Sequence, residues 1–193
     1  MGDVSESTHM FEPDPVIREV MEYLAKNISL KIRLVKMLQE GEVHDEIFER
    51  LFESYSALGE HLTKNRSDML QRISFNLESM DKALRQAKIG LDELEIRMKI
   101  GDLSEDEYRA KAPAFEWDIK QYKDKVNQKR GEKAFLDSLT SVISTEDIAE
   151  LKAIGESCQE DIEDLVESKR ISSEMAEKIK VALEEVRAYL DSS

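Results

Sequence analysis

The sequence has few of the residues that interrupt helices or cross-link a chain. Its 193 residues include one cysteine, three prolines and seven glycines. The single thiol, Cys158, excludes an intramolecular disulfide, and its place on an apolar helical stripe predicts a small buried side chain. No apolar run approaches the roughly 18 residues of a membrane span, and residues 1–9 lack the apolar core of an export signal. We therefore expect a soluble cytoplasmic protein.

Basic charge is also scarce. Lysine and arginine number 28 against 42 aspartates and glutamates, which gives a net charge of -14. Such a chain repels a phosphate backbone and an anionic membrane surface, so we predict neither nucleic-acid nor membrane binding. One basic run is an exception, which we interpret as a solvated face that pairs with acidic neighbours: Lys120, Lys123, Lys125, Lys129, Arg130 and Lys133.

Signatures of catalysis and of metal binding are missing. The histidines, at 9, 44 and 61, have no metal-ligand spacing, and the chain contains no phosphate loop, dinucleotide fingerprint or serine nucleophile elbow. The segment GDLSEDEY lacks the ligand order of a calcium loop and fits a capped helix start. We predict a protein that is not an enzyme, with no catalytic, cofactor-binding or metal-binding residues.

The dominant pattern is one apolar stripe with a mean spacing of about 3.6 residues, which predicts a single helix over about 45–100. Its one charged member is Arg66, interpreted as laying its stem on the stripe with its head in water, or alternatively as fixing register. Gly59 and Gly90 are bends or points of close packing. The stripe consists of Phe48, Leu51, Tyr55, Leu58, Leu62, Arg66, Met69, Ile73, Leu77, Met80, Leu84, Ala87, Leu91, Leu94 and Met98.

Shorter helices flank this one. Residues 1–13 read as a disordered arm. A first helix over about 15–40 begins at Asp14 and Pro15 and has an apolar stripe from Ile17 to Leu38. A third helix covers about 105–130, with a kink at Pro113 and a break or hinge at Gly131. Residues 14–143 form the predicted coiled-coil body, and 144–193 a C-terminal helical hairpin, whose first helix begins at Ser144 or Thr145 and includes both Ile148 and Leu165.

The turns between helices repeat. Gly41 and Gly101 each stand where a helix should end in a left-handed cap. Ser104 and Glu107 then form a capping box at the start of the third helix. A third copy of the turn, near the C-terminus, has Lys169 in place of the glycine. Antiparallel hairpins follow from such short connections.

The predicted fold is therefore all-α: elongated antiparallel helical hairpins, a coiled coil around one long central helix, with a C-terminal helical hairpin. The apolar stripe around Phe48, Leu51, Phe52 and Tyr55 is wide enough to require a second neighbour. We therefore predict a homodimer.

The segments EGEVHDEIFERLFESY and LDELEIRMKIGDLSEDEYRAKAPAFEWDI resemble the coiled-coil region of CdvA-like archaeal proteins. The resemblance covers residues 16–133, without the small β-barrel that precedes this region in the best-known members. It implies a structural role in the cytoplasm of an archaeon, as a filament or scaffold partner of the ESCRT-type cell-division machinery.

The sequence thus predicts a non-enzymatic scaffold protein that works through coiled-coil protein–protein interaction and self-association. Three alternatives remain open at this point. The chain could be an ESCRT-like membrane-remodelling subunit, an acidic adaptor or chaperone that uses residues 144–193 as bait, or a bundle that binds a metal or a small molecule.

Overall fold

The computed structural model describes residues 11–191, and the predicted all-α class is confirmed over this range, which contains no strand. The predicted arm, residues 1–13, lies for the most part outside it. A short 3₁₀ turn, Leu139–Ser141, lies between the third and fourth helices. The six helices are α1, Pro15–Glu40; α2, Asp45–Lys99; α3, Glu105–Asp137; α4, Thr145–Glu160; α5, Ile162–Glu167; and α6, Ser173–Asp191.

The helix starts follow the predicted capping chemistry. Asp14 Oδ1 accepts a hydrogen bond from the Val16 N–H at 2.8 Å, at the start of α1. At the start of α3, Ser104 Oγ accepts from the Glu107 N–H at 3.2 Å, and Glu107 Oε2 accepts from the Ser104 N–H at 2.9 Å. Ser104 lowers the pKa of the Glu107 carboxyl through two hydrogen bonds to Oε2, one from its N–H and one, at 2.8 Å, from its hydroxyl. The capping box is therefore confirmed.

The three predicted turns share one hydrogen-bond pattern. The left-handed residues Gly41, Gly101 and Lys169 have φ of 75°, 80° and 59°. Each N–H donates to the carbonyl three residues back, and the next N–H donates to the carbonyl five residues back, at 2.9 to 3.2 Å. This is the Schellman arrangement, which satisfies carbonyls at a helix end. Lys169 is the one non-glycine residue with positive φ in the described chain.

Two boundaries differ from the predictions. The break at Gly131 is wrong, because α3 continues to Asp137. One glycine costs only about 1 kcal/mol in a helix, and the Phe11 ring occupies the space beside Gly131. The predicted single helix over Ile148 and Leu165 is instead divided at Asp161 into α4 and α5.

The chain divides into two compact units, and α2 and α3 each contribute to both. The bundle unit comprises residues 14–69 and 134–191. In it α1 packs against α4 and α6, and α4 and α5 both contact α6. Gln39 Nε2 donates to the Cys158 carbonyl at 2.7 Å, which ties α1 to α4. The C-terminal helices therefore dock on α1.

The core of the bundle unit surrounds α1. Every apolar residue predicted on its stripe is buried, and the buried arc also includes Ala25, Asn27 and Lys31. Because α2 lies on one side of α1 and the C-terminal helices on another, this buried arc is wide, while Val16 and Tyr23 outside it stay exposed. The predicted stripe residues are Ile17, Val20, Met21, Leu24, Ile28, Ile32, Leu34, Val35 and Leu38.

The hairpin unit comprises residues 11–13 and 70–133. Its two helical segments are joined by the turn at Gly101. A methyl group at position 90 would overlap with the Phe115 ring, so α2 and α3 meet closely there. Gly90 is thus a close-packing point. Of the two alternatives for Gly59, close packing is also what the structure shows, because Asn27 and Lys31 approach it.

Candidate interaction surfaces

The apolar stripe predicted for α2, here called the inner stripe, faces the interior along most of its length. Leu58 is the exception, at 47 % exposed. Phe48 and Phe52 are buried within the bundle unit, with their rings stacked at 5.3 Å. The chain itself therefore covers the stripe that was expected to require a second neighbour.

The head of Arg66 is only partly in water, so the favoured interpretation holds in part, because the guanidinium also binds two backbone carbonyls. Its Nε donates to the Leu136 carbonyl at 2.6 Å, and a terminal nitrogen donates to the Asp137 carbonyl at 3.3 Å. Its guanidinium also lies 5.2 Å from the centre of the Tyr189 ring. Carbonyls at the end of a helix lack intrahelical donors. Arg66 therefore caps the C-terminus of α3 within the bundle unit, and the negative end of the helix dipole favours its charge.

A second apolar stripe lies on α2 in the hairpin unit. This outer stripe consists of Phe75, Ile89 and Ile96 of α2 together with Ile100, the residue directly after its end, each between 51 % and 73 % exposed. At about 100° per residue the four lie within about 60° of one another, on the side of α2 opposite the inner stripe. Large apolar side chains aligned on an exposed face mark an interaction surface. Sequence reasoning missed it, although the intervals of fourteen, seven and four residues are a readable heptad signal.

Charges of alternating sign follow one edge of the outer stripe. Glu78, Arg85, Asp92 and Lys99 occur at intervals of one heptad, and all four are exposed. Lys99 also pairs with Glu95 at 2.6 Å within its own helix. Residues in one heptad position face their own counterparts in an antiparallel helix pair. An alternating series can therefore pair with a reversed copy of itself.

The bundle unit contains a groove of about 970 Å³ between α1, α2 and α6. Its floor is apolar, with Leu24 and Ile28 of α1, Phe52 of α2, and Val181 and Val186 of α6. Six acidic and three basic residues also line it: Glu53, Glu60, Asp68, Glu174, Glu177 and Glu185, with Lys31, Lys64 and Lys178. A site of this size and apolar character is typical of ligand or peptide recognition.

Buried polar groups lie in the groove beside Gly59. Asn27 is 2 % exposed, and its Nδ2 donates to the Tyr55 carbonyl at 2.8 Å. The Asn27 Oδ1 and the Ser56 Oγ are buried and accept no hydrogen bond within the described protein. A buried acceptor without a hydrogen bond lowers the stability of the fold until a donor forms a hydrogen bond with it.

Lys31 is the buried cation of the groove. It is 7 % exposed, and burial lowers the pKa of its ammonium group, while Glu185 and Glu60 act in the opposite direction. No carboxylate among residues 11–191 lies within ion-pair distance of its Nζ. The ammonium group thus retains capacity to donate hydrogen bonds to a bound group.

The other residues singled out in the sequence have structural places. Cys158 is 1 % exposed, and burial raises the pKa of its thiol to about 11, which confirms the prediction of a buried side chain. In the basic run, Arg130 pairs with Asp81 at 3.2 Å, and Lys129 pairs with Glu132 at 2.6 Å. Glu132 is itself 1 % exposed, a buried charge that the sequence did not reveal.

No group of three or more His, Cys, Asp or Glu residues within 11–191 is arranged to hold a metal ion. No helix in the same range has both the length and the apolar content needed to cross a membrane.

Comparison of the chain with protein-family models, with curated proteins and with solved structures finds no significant match.

Proposed function

We propose that this protein is a non-enzymatic scaffold that self-associates as a homodimer through the outer stripe of the hairpin unit. The observation that supports this is the alignment of Phe75, Ile89 and Ile96 of α2, together with Ile100, on one exposed face. Leaving these four apolar side chains exposed to water costs a free energy of about 25 cal/mol for each Å² of their exposed apolar surface. A second helix laid along the stripe removes that surface from water.

The charges beside the stripe favour a second copy of the chain in antiparallel orientation. In a pair centred near Ile89, Glu78 faces Lys99 of the second copy, and Arg85 faces Asp92. Two-fold symmetry repeats both contacts, giving four pairs of opposite sign. In a parallel pair with two-fold symmetry this series lies on opposite sides of the seam in the two copies, so its members do not meet one another. Charge complementarity thus favours a second copy of this chain as the partner, in antiparallel orientation.

Sedimentation equilibrium across the micromolar range tests the dimer. We expect the wild-type chain to dimerise and Ile89→Asp to weaken the dimer at least tenfold. Ile47→Asp is the matched control, because Ile47 is an exposed isoleucine of α2 in the bundle unit. A wild-type chain that remains monomeric, or equal weakening by both variants, contradicts the proposal.

Charge reversal tests the antiparallel direction. Glu78→Lys and Lys99→Glu should each weaken the dimer, and the double variant should recover most of the wild-type affinity. Additive weakening in the double variant would show that the two side chains do not face each other.

The role proposed for this scaffold is that of a CdvA-like component of archaeal cell division, in the cytoplasm. The residues that carry this proposal are those of the resemblance, between 16 and 133. Affinity capture from the native host, followed by mass spectrometry, tests it. Recovery of ESCRT-type division proteins is the expected outcome, and their absence from the captured set counts against this role.

A further inference from the structure

We propose that the groove of the bundle unit is a docking site for a basic amphipathic helix of a partner protein. The site goes beyond self-association through the outer stripe, since it is formed by other residues, on α1, α2 and α6. Three properties of the groove point to this occupant, namely its dimensions, the charge of its rim and the polar groups on its floor.

The dimensions fit one face of a helix. The groove follows α2 from Phe52 to Asp68, a length of about 24 Å at about 1.5 Å per residue. A helix of four to five turns has the same length and can lie with one face in the groove, as in other helix-in-groove complexes.

The rim selects a basic partner. Lys178 is already paired with Glu174 at 3.2 Å and with Glu53 at 3.7 Å. Glu60, Glu177 and Glu185 take part in no ion pair that the structure shows. Two further basic residues line the groove with them, Lys64 and the buried Lys31. A fatty acid or an anionic phospholipid headgroup would add negative charge to this acidic rim, which would repel it. Lysine or arginine on the flanks of a helix would complement it.

The floor selects a polar group at one position. The Asn27 Oδ1 is a buried acceptor without a donor in the described protein, and the Lys31 ammonium group lies with it beside Gly59. A side-chain amide both donates and accepts, so one glutamine or asparagine can pair with both of these groups. The expected partner helix therefore has an aliphatic face with one amide, between basic flanks.

Fluorescence anisotropy in 150 mM NaCl tests the site with two labelled 18-residue peptides. Both contain the same leucine, lysine and glutamine residues, one in an amphipathic order and one scrambled. The intact chain should bind the amphipathic peptide at least tenfold more tightly than the scrambled peptide. Equal binding of the two peptides would overturn the proposal, because acidic charge alone would then explain it.

Variants locate the binding. Val181→Arg places a bulky cation in the groove at a residue that is 46 % exposed, so the fold should tolerate it. Val16→Arg makes the same substitution on α1 outside the groove, at 55 % exposed. Only Val181→Arg should weaken peptide binding, by at least tenfold, with unchanged circular dichroism in both variants. Equal weakening, or displacement of the peptide by laurate or anionic vesicles at equimolar amounts, would overturn the proposal.

Discussion

The bundle unit and the hairpin unit bury similar apolar patterns to different extents. On α1, Ile28, Ile32 and Val35 are at most 2 % exposed. In the hairpin unit, Leu77, Leu84 and Leu91 of the inner stripe are only half-buried. The reason is the number of neighbours within each unit, because α1 packs against several helices of the bundle unit, whereas the described part of the hairpin unit contains two helical segments.

This difference teaches that a helical stripe does not by itself set the depth of burial. A leucine at a stripe position contributes the full free energy of burial only when neighbours cover both sides of the contact. We therefore expect most of the stability to come from the bundle unit. The hairpin unit has apolar surface left for association.

The largest expected effect on stability is that of a buried aspartate in the bundle unit, which is compared with an aspartate in the hairpin unit. Ile32→Asp buries a carboxylate at a fully enclosed position, so the free energy of unfolding should fall by about 4 kcal/mol or more. Leu84→Asp should cost about 1–3 kcal/mol, because its half-buried position lets water reach the charge. Urea unfolding followed by circular dichroism measures both. Equal costs would contradict the proposed difference between the units.

The thiol of Cys158 tests burial in the bundle unit through pH. Its pKa rises from the ordinary 9.0 to about 11. Folding thus favours the protonated form, so this contribution is complete below pH 9 and is lost as the pH rises toward 11. The stability difference between wild type and Cys158→Ala should shift against the wild type by about 2 kcal/mol between pH 8 and pH 10.5. Other titrating groups are common to both proteins. A constant difference would show that the thiol is hydrated.

Glycine substitutions compare packing within helices of the two units. Gly90→Ala in the hairpin unit should lower stability by about 1–2 kcal/mol, because overlap with the Phe115 ring outweighs the gain in helix propensity. Gly155→Ala in the bundle unit is the matched control. No atom lies within 4 Å of a methyl group built there, so it should raise stability by about 1 kcal/mol. Thermal unfolding distinguishes the two, and stabilisation by both would show that the hairpin can shift at Gly90.

The sequence was sufficient to predict the elements whose signals are local. The caps at Asp14 and Ser104 and the continuity of α2 depend on residues a few positions apart, and the structure confirms each of them. The partners of Arg66 were not predictable in this way. Its carbonyl acceptors lie seventy and seventy-one residues further along the chain.

The candidate surfaces were harder to predict for a related reason. Asn27 and Lys31 read as ordinary polar residues of an amphipathic helix, and only the docking of α6 places them in a groove. The outer stripe was hidden by its sparseness, since Lys82 occupies the heptad position between Phe75 and Ile89. The inner stripe therefore dominates the helical periodicity of α2 and hides the sparser outer stripe.

The smallest effect compares a turn in the bundle unit with its counterpart in the hairpin unit. Lys169 and Gly101 have the same hydrogen bonds and similar positive φ, but a lysine is strained in that conformation by roughly 1 kcal/mol. Lys169→Gly should therefore raise stability, and the greater freedom of glycine in the unfolded chain should reduce the gain to somewhat under about 1 kcal/mol. Lys169→Ala is the control, because it removes the charge and keeps the strain. A rise in Tm for glycine alone shows that backbone conformation limits this turn. Equal rises would instead identify the lysine charge as the destabilising feature.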